Sequence, residues 1–560
     1  MRTKLLMTAA LALALPMSLA AADTTPIVKP HKTPLVFDVD PDKPDLPEID
    51  KPLPTDALFG DDPQSQTANL EQTMTNLGGI INDGAISQTG DQNQAQLTQT
   101  GNDNTASITQ SDLGAPGSFN VATNLGVVDQ NGNGNLATVE QINVADGGPS
   151  NVASVHQFSD TPEDGALSNE AFVSQDGTNG SIALIVQGAS DAGTTNNFAS
   201  IDQFGGSADR MDARIDQQSD GNFADVIQGF GLDGGVVRIQ QTGFDGAALA
   251  EANDAFVIQG PGSDLEVNIL QSSEEPPALG IDGANTAFVD QLGDGSTTNI
   301  EQRNDGNNAD VLQWADHSEV HVLQNDVDSV GQNFVDVDQF GDGNSTIIEQ
   351  ENVENDATVF QAGSGGTIVV DQNVQFGAGP EGTNIVDLSQ DFATVDSRIE
   401  VEQDHRFTDA NANFVMVEQI GVTNGLVQVA QTGEGHDASI TQGPGSDLTV
   451  QLIQGGPGSL FRSNNEAIIS QSGDRNEISV FQEDDGNFAE ISQEGSDNSI
   501  SLEQLDDNFA DIQQAGHRNS IHVFQTGDGD FANITQLAND SVINVVQNGG
   551  GNVANVSQLP

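Results

Sequence analysis

The sequence predicts an all-β protein, namely a β-solenoid of stacked two-strand rungs arranged as two parallel sheets. Seven-residue segments that begin with Asn, Ser or Gly and end with Gln recur along most of the chain. Alternate positions within each segment are apolar, which is the period of a β-strand rather than a helix. Two such segments and their glycine-rich links make a unit of about 22 residues, and a fixed repeat of that length predicts a stacked architecture.

Residues 1–22 are predicted to be a secretory signal peptide. Arg2 and Lys4 precede an apolar run from Leu5 to Leu15, and Ala20 to Ala22 provide small residues for cleavage. The apolar run is short for a membrane span. We therefore expect the mature chain to leave the cytoplasm without a membrane span; a retained anchor helix is the alternative.

Residues 23–81 are rich in proline and aspartate and are predicted to form a disordered tether. Proline removes backbone donors and is excluded from helix interiors, so the segment should be extended. It serves either as a spacer or as a recognition segment for a secretion machine.

Residues 82–560 carry the repeats. When the first residue of a segment is counted as position 0, positions 2 and 4 are apolar and position 6 is the glutamine. In segment 508–514 the even positions should therefore face inward, and Phe509, Asp511 and Gln513 should face outward.

Two kinds of segment alternate from Asn169 onward, one with a small residue at position 2 and one with a larger or β-branched residue there. Two facing strands pack without voids when a small side chain on one strand lies opposite a large side chain on the other. Each pair should therefore form one rung. Inward glutamines of successive rungs should then stack and hydrogen-bond along the axis; at the C-terminal end these are Gln471, Gln482, Gln493, Gln504, Gln514, Gln525, Gln536, Gln547 and Gln558.

The charge of the chain restricts its partners. Eighty-four acidic residues against 15 Lys and Arg give a formal net charge of −69. A chain so poor in cationic residues is not expected to bind nucleic acid, whereas it should attract cations. The chain has no cysteine, so neither a disulfide nor thiolate chemistry is available.

The C-terminal repeat resembles a known family. It follows the curlin pattern Ser-x5-Gln-x-Gly-x-Gly-Asn-x-Ala-x3-Gln at every fixed position: Ser541, Gln547, Gly549, Gly551, Asn552, Ala554 and Gln558. The preceding repeat keeps Gln525, Gly527, Gly529, Ala532 and Gln536, with Asn519 and Asp530 in place of Ser and Asn. The chain thus resembles the subunits of curli, the extracellular amyloid fibres of bacterial biofilms. The resemblance implies a cross-β solenoid, export as an unfolded chain through an outer-membrane pore, and self-assembly outside the cell.

The sequence does not predict an enzyme. Catalysis needs a convergent acid–base pair or a metal cluster in a cleft, whereas the eight histidines are scattered along the chain. We expect no catalytic residues and no cofactor.

Aspartates in recurring glycine-rich turns are candidates for metal binding, because hard cations take carboxylate and carbonyl oxygens. The weak candidates are Asp342, Asp474 and Asp528. The alternative is that Asp and Gly serve turn geometry alone. We expect diffuse binding of Ca²⁺ or other cations, because carboxylates one rung apart repel each other by about 1 kcal/mol even in water.

Outward aromatic residues at position 1 of one strand type predict an interrupted stripe on one face. They are Phe198, Phe223, Phe334, Phe414, Phe488, Phe509 and Phe531. Such a stripe could join two rods laterally; alternatively, each ring folds against its own turn. Trp314 stands alone in a turn and indicates no site.

These observations favour a secreted structural protein that self-assembles into extracellular, curli-like fibres for adhesion or biofilm matrix of a bacterium. Its partners would be further copies of itself, stacked end to end or paired laterally, together with a curli-type secretion pore and a nucleator. The alternative is a non-polymerising acidic β-solenoid, a cell-surface adhesin that binds divalent cations.

Overall fold

The fold is taken from a computed structural model, in which all regular secondary structure of the described residues is β-strand. The described residues are 67–73, 82–90, 93–112, 124–143, 151–159, 169–178, 180–188, 196–205, 210–229, 231–242, 253–272, 285–304, 306–325, 332–352, 354–374, 383–405, 412–455 and 464–559. None of them belongs to a helix that is long and apolar enough to cross a membrane. The predicted signal peptide and most of the predicted tether lie outside these residues.

The strands are mostly six to eight residues long, and each main strand ends at or just after a glutamine. Their bounds are β1 (Thr67–Thr73), β2 (Asp83–Thr89), β3 (Gln94–Thr100), β4 (Thr105–Asp112), β5 (Leu125–Asn131), β6 (Leu136–Asn143), β7 (Val152–Phe158), β8 (Glu170–Asp176), β9 (Ile182–Gln187), β10 (Phe198–Phe204), β11 (Asp212–Gln217), β12 (Phe223–Gly229), β13 (Leu232–Asp233), β14 (Val236–Thr242), β15 (Asp254–Gln259), β16 (Gly262–Ser263), β17 (Glu266–Ser272), β18 (Thr286–Leu292), β19 (Thr297–Arg303), β20 (Asn308–Trp314), β21 (Glu319–Asn325), β22 (Phe334–Gln339), β23 (Ser345–Glu351), β24 (Asn355–Gln361), β25 (Thr367–Val374), β26 (Asn384–Gln390), β27 (Arg398–His405), β28 (Asn413–Gln419), β29 (Val422–Thr423), β30 (Leu426–Thr432), β31 (Asp437–Gln442), β32 (Gly445–Ser446), β33 (Thr449–Gln454), β34 (Glu466–Glu483), β35 (Phe488–Leu505), β36 (Phe509–His517), β37 (Ser520–Thr526), β38 (Phe531–Gln536), β39 (Val542–Asn548) and β40 (Val553–Gln558).

The main strands pair in parallel with the next strand but one, which makes a parallel β-solenoid. The first series contains β1, β3, β5, β7, β9, β11, β14, β17, β19, β21, β23, β25, β27, β30, β33, the second halves of β34 and β35, β37 and β39. The second series contains β2, β4, β6, β8, β10, β12, β15, β18, β20, β22, β24, β26, β28, β31, the first halves of β34 and β35, β36, β38 and β40. The predicted all-β solenoid is confirmed.

The hydrogen bonds connect both series into one 36-stranded sheet, beside two small sheets formed by β13 with β16 and by β29 with β32. The predicted division into two separate parallel sheets is therefore not confirmed. The connection arises at β34, which runs through a turn and pairs with β31 by its first half and with β33 by its second half.

The main core is a continuous cluster of alternating inward side chains that extends along the solenoid, and Met211, Leu232 and Leu265 form a small separate cluster. Fully buried alanines follow one another in the second series, for example Ala199 and Ala224, while larger residues such as Val267 and Ile399 occupy the same position of the first series. Burying each Val or Ile contributes about 1.5–3 kcal/mol in gross terms. Chain entropy offsets most of this, so each rung depends on its neighbours.

The array of strands begins earlier than predicted. Strand β1 lies within the segment assigned to the tether and pairs in register with β3. The predicted tether boundary at residue 81 is therefore wrong, since residues 67–73 belong to the solenoid. The segment has Ala68, Leu70 and Gln72 at the inward positions but lacks the initial Asn. For that reason it was not identified as a repeat from the sequence.

Glycine is required in the turns where neighbouring rungs touch through their main chains. Gly473 has a φ of 98°, and a Cβ atom on it would lie 1.9 Å from the carbonyl oxygen of Gly495. No side chain fits that separation, so close stacking of the turns selects glycine at this position.

Candidate functional site

Two columns of buried glutamine side chains run along the solenoid. In each column the Nε2 of one glutamine donates to the Oε1 of the glutamine on the next strand of its series. The C-terminal part of the second series reads Gln471, Gln493, Gln514, Gln536 and Gln558, with N–O distances of 2.9, 2.8, 2.9 and 3.1 Å. The first series reads Gln482, Gln504, Gln525 and Gln547, each 3.0 Å from the next.

The same glutamines also connect the two series. Gln504 Nε2 donates to the carbonyl oxygen of Phe488 at 3.1 Å, and Gln525 Nε2 to that of Phe509 at 3.2 Å. Each amide thus uses one donor along the column and one across the core. Because these side chains are almost fully buried, a lost bond leaves a polar group without water to replace it.

A third column, which the sequence did not predict as a hydrogen-bonded ladder, is formed by the residues at position 0 of the second-series segments. Asn487 and Asn508 donate their backbone N–H groups to the Oδ1 of Asn465 and Asn487, at 2.9 and 3.1 Å. The recurring asparagine at position 0 was the available signal. Stacked amides at both ends of a strand hold its register against slippage.

The remaining residues of the curlin pattern lie in the two terminal turns and at inward positions. The backbone φ angles of Gly527, Gly529, Gly549 and Gly551 are 131°, 77°, 94° and 75°. Ala532 is fully buried and pairs with Ala554 in register. The Ser541 hydroxyl donates to the carbonyl oxygen of Asn539 at 3.0 Å, and its backbone N–H donates to Asn519 Oδ1.

The three candidate metal-binding aspartates lie in turns of separate rungs. The Asp474 carboxylate accepts hydrogen bonds from the Ser446 backbone N–H at 3.1 Å and from its hydroxyl at 3.0 Å. The backbone carbonyls of Asp342 and Asp528 accept from glycine N–H groups of the next turn, at 2.9 and 3.0 Å. Among the described residues, no group of three or more His, Asp or Glu side chains is placed to hold a metal ion.

Three segments that contain the glutamine ladder are similar to a known protein family. The model of the curlin associated repeat family matches three segments of the chain, residues 82–111, 463–505 and 506–537. Curlin repeats therefore occupy these three segments of the chain. Two of the matched segments contain the closely spaced glutamines of β34 to β38, so the family resemblance seen in the sequence is confirmed. No curated protein matches the chain.

Five of the seven phenylalanines of the predicted stripe lie in two stacks, and the other two have non-aromatic neighbours on the paired strands. Phe198 stacks on Phe223 with ring centroids 4.8 Å apart, and Phe198 also contacts Phe172 at 5.6 Å. Phe488, Phe509 and Phe531 stack at 4.9 Å intervals. On the paired strands Phe334 lies between Asn308 and Asp356, and Phe414 between Ile385 and Asp437.

A second aromatic row of the solenoid was not predicted. Trp314, Phe340, Phe360 and Phe392 make successive ring contacts with centroids 5.9, 5.8 and 6.3 Å apart. Trp314 is thus not alone, contrary to expectation. The repeat pattern does not predict this row, because its members occupy different positions of the repeat. Trp314 and Phe340 follow the glutamine, Phe360 precedes it and Phe392 lies in a turn.

A row of carboxylates on the first series creates a local electrostatic penalty. Asp371 pairs in register with Glu349 on one side and with Glu402 on the other. Burial is the largest cause, and together with the negative charges of Glu349, Glu402, Glu351 and Asp404 it raises the pKa of Asp371 to about 7. Like charges one strand apart therefore oppose folding unless a proton or another cation neutralises the row.

Replacing Asp371 by asparagine should stabilise the protein at pH 8. The folded pKa of about 7 lies above the unfolded value of about 3.9, so the folded chain holds a proton that the unfolded chain releases. Stability is then complete at low pH and falls as the pH rises through about 7. Thermal unfolding should show a gain for Asp371→Asn that is largest above about pH 7 and shrinks as the pH falls from about 7 to about 4. Asp342→Asn, in an exposed turn, is the control; an equal response there would contradict a local cause.

Proposed function

We propose that this chain is a secreted structural protein that self-assembles end to end into extracellular, curli-like amyloid fibres for adhesion or biofilm matrix. Its role is mechanical rather than catalytic. Export through a curli-type pore and assembly on a nucleator would follow the pattern of the family. Curlin repeats and the parallel β-solenoid support this proposal.

The observation that carries the proposal is the match between the two ends of the described solenoid. Among the described strands, β1 and β2 pair on one side only, as do β39 and β40. The first strands present Ala-x-Leu-x-Gln and Gly-x-Ile-x-Gln, and the last present Ile-x-Val-x-Gln and Ala-x-Val-x-Gln. The last rung of one copy can therefore continue on the first rung of another in the register used throughout the chain.

Exposure at the ends agrees with this arrangement. Leu70, at an inward position of β1, is 48% exposed, whereas Leu97 on the paired strand β3 is 0% exposed. Val542, Val546 and Val553 of the last rung are 62–68% exposed. Open strand edges with apolar side chains favour pairing with another chain.

The direction of the glutamine column specifies how two copies meet. Gln72 Nε2 donates to Gln99 Oε1 at 2.7 Å, and every later pair of the column has the same direction, ending at Gln547. The last amide can then donate to Gln72 Oε1 of a second copy. Head-to-head contact would bring like groups together, so stacking is head to tail. In this proposal each rung consists of two facing strands, as the small and large inward rows favour.

Cations take part in assembly as diffuse counterions. A chain with a net charge of −69 repels its own copies, and that repulsion is screened by salt and reduced by protonation. Divalent cations, salt or low pH should therefore promote fibre formation. The phenylalanine stacks offer a surface for lateral pairing of fibres.

Purified mature protein tests the proposal directly. We expect incubation with Ca²⁺ to produce fibres with cross-β diffraction, including the strand spacing of about 4.8 Å, and faster growth than in chelator. Protein that stays monomeric without cross-β diffraction after long incubation would instead support a non-polymerising adhesin that binds divalent cations. Equal growth rates across salt, Ca²⁺ and pH would contradict the role of counterions.

A further inference from the structure

The asparagine column contains one position where a carboxylate replaces the amide. At ordinary positions Oδ1 accepts the backbone N–H of the next member, while Nδ2 donates to a carbonyl oxygen of the adjacent turn. Asn104 and Asn487 donate in this way to the carbonyl four residues earlier, that of Thr100 at 3.3 Å and that of Glu483 at 2.7 Å. Each side chain is therefore an acceptor at one atom and a donor at the other.

Asp530 takes the place of asparagine in this column. Its backbone N–H donates to Asn508 Oδ1 at 3.0 Å, and its Oδ1 accepts from the backbone N–H and Nδ2 of Asn552, at 2.8 and 2.9 Å. The residue is 1% exposed, and its Oδ2 has no hydrogen-bond partner among the residues that the structure describes. The buried carboxylate thus keeps the acceptor of the column and replaces its donor by a second oxygen.

The turn that precedes Asp530 offers further oxygen atoms. The carbonyl four residues before Asp530 is that of Thr526, which accepts the Gly549 N–H at 2.9 Å. Among the described residues no N–H or O–H group donates to Oδ2, and leaving such a buried charge uncompensated is costly. Exposed carboxylates of the same and the preceding turn, Asp528, Asp506 and Asp507, add negative charge along this edge.

We propose that Asp530 Oδ2 binds a hard cation of the Ca²⁺ type in the turn of residues 526–530. Carboxylate and main-chain carbonyl oxygens are the ligands that such cations take, with water completing the shell. A site with a single buried carboxylate differs from a cluster of several acidic side chains, and it differs from diffuse counterions because one residue specifies it. The cation would fasten the turn before the last rung, beside strands β38 and β40.

The test compares Ca²⁺-dependent protection of this turn in the full chain and in Asp530→Asn. Asparagine occupies the same position at Asn487, Asn508 and Asn552, so the variant keeps the column. Amide hydrogen exchange of residues 526–552 is measured on unpolymerised protein, in EDTA and in CaCl₂ at equal ionic strength. We expect Ca²⁺ at ten times its dissociation constant to slow exchange of the unsubstituted chain about tenfold, because it binds the closed turn alone. Asp530→Asn should show no such response.

Asp506→Asn is the matched control, because it removes one exposed carboxylate from the adjacent turn. It should keep the response to Ca²⁺. A response that persists in Asp530→Asn, or that is lost equally in Asp506→Asn, would overturn the site in favour of diffuse counterions. Slower exchange on acidification with no effect of Ca²⁺ would overturn it in favour of a proton on Oδ2. Because the protein is unpolymerised, none of these outcomes depends on fibre formation.

Discussion

Replacing Gln514 by glutamate should destabilise the solenoid by about 3 kcal/mol or more at neutral pH. Gln514 is 1% exposed, accepts from Gln493 Nε2 and donates to Gln536 Oε1. A carboxylate loses the donor, faces the Gln536 oxygen and carries a charge into the core. Chemical denaturation and amide exchange of strands β35 to β38 should both report the loss.

The neighbouring residue is the matched control. Gln513 is exposed on the opposite side of the same strand, so Gln513→Glu should change stability by less than about 0.5 kcal/mol. Low pH should restore much of the stability of Gln514→Glu, because a protonated carboxyl donates to Gln536 again. Equal losses for the two variants would show that net charge, and not the column, sets stability.

Removing residues 541–558 should slow fibre growth by about tenfold or more relative to the intact chain, because growth requires an open, well-packed end. This segment forms β39 and β40, the last rung, and exposes Val542, Val546 and Val553. Its loss places Asp540 and the Asp530 turn at the end, where carboxylates repel an incoming acidic copy. Growth rates on preformed seeds measure the effect.

Removal of an internal rung provides the comparison. Deleting residues 487–507 joins the turn after β34 directly to Asn508 and preserves the order of inward residues. Such a chain keeps both ends and should grow at nearly the rate of the intact chain. Equal slowing by the two deletions would count against a special role of the C-terminal rung.

The sequence by itself determined the parallel ladder and the positions within it. When identical units stack in register, equivalent positions of neighbouring units come together, so the spacing of Gln471 to Gln558 was enough to predict which side chains share a column. Inward and outward sides followed from alternation, as the buried Gln514 and the exposed Gln513 show. The phenylalanine stacks at position 1 followed from the same logic.

Only the tertiary structure showed the contacts between residues at non-equivalent positions of neighbouring repeats. The aromatic row from Trp314 to Phe392 and the connection of both strand series through β34 depend on how particular turns bend. Strand β1 was recognised only from its pairing with β3, because its own segment lacks the initial Asn of the repeat. The unpartnered oxygen of Asp530 became visible only once the donors and acceptors around it were placed. Periodicity specifies which rows exist, whereas contacts between rows depend on turn geometry that no period encodes.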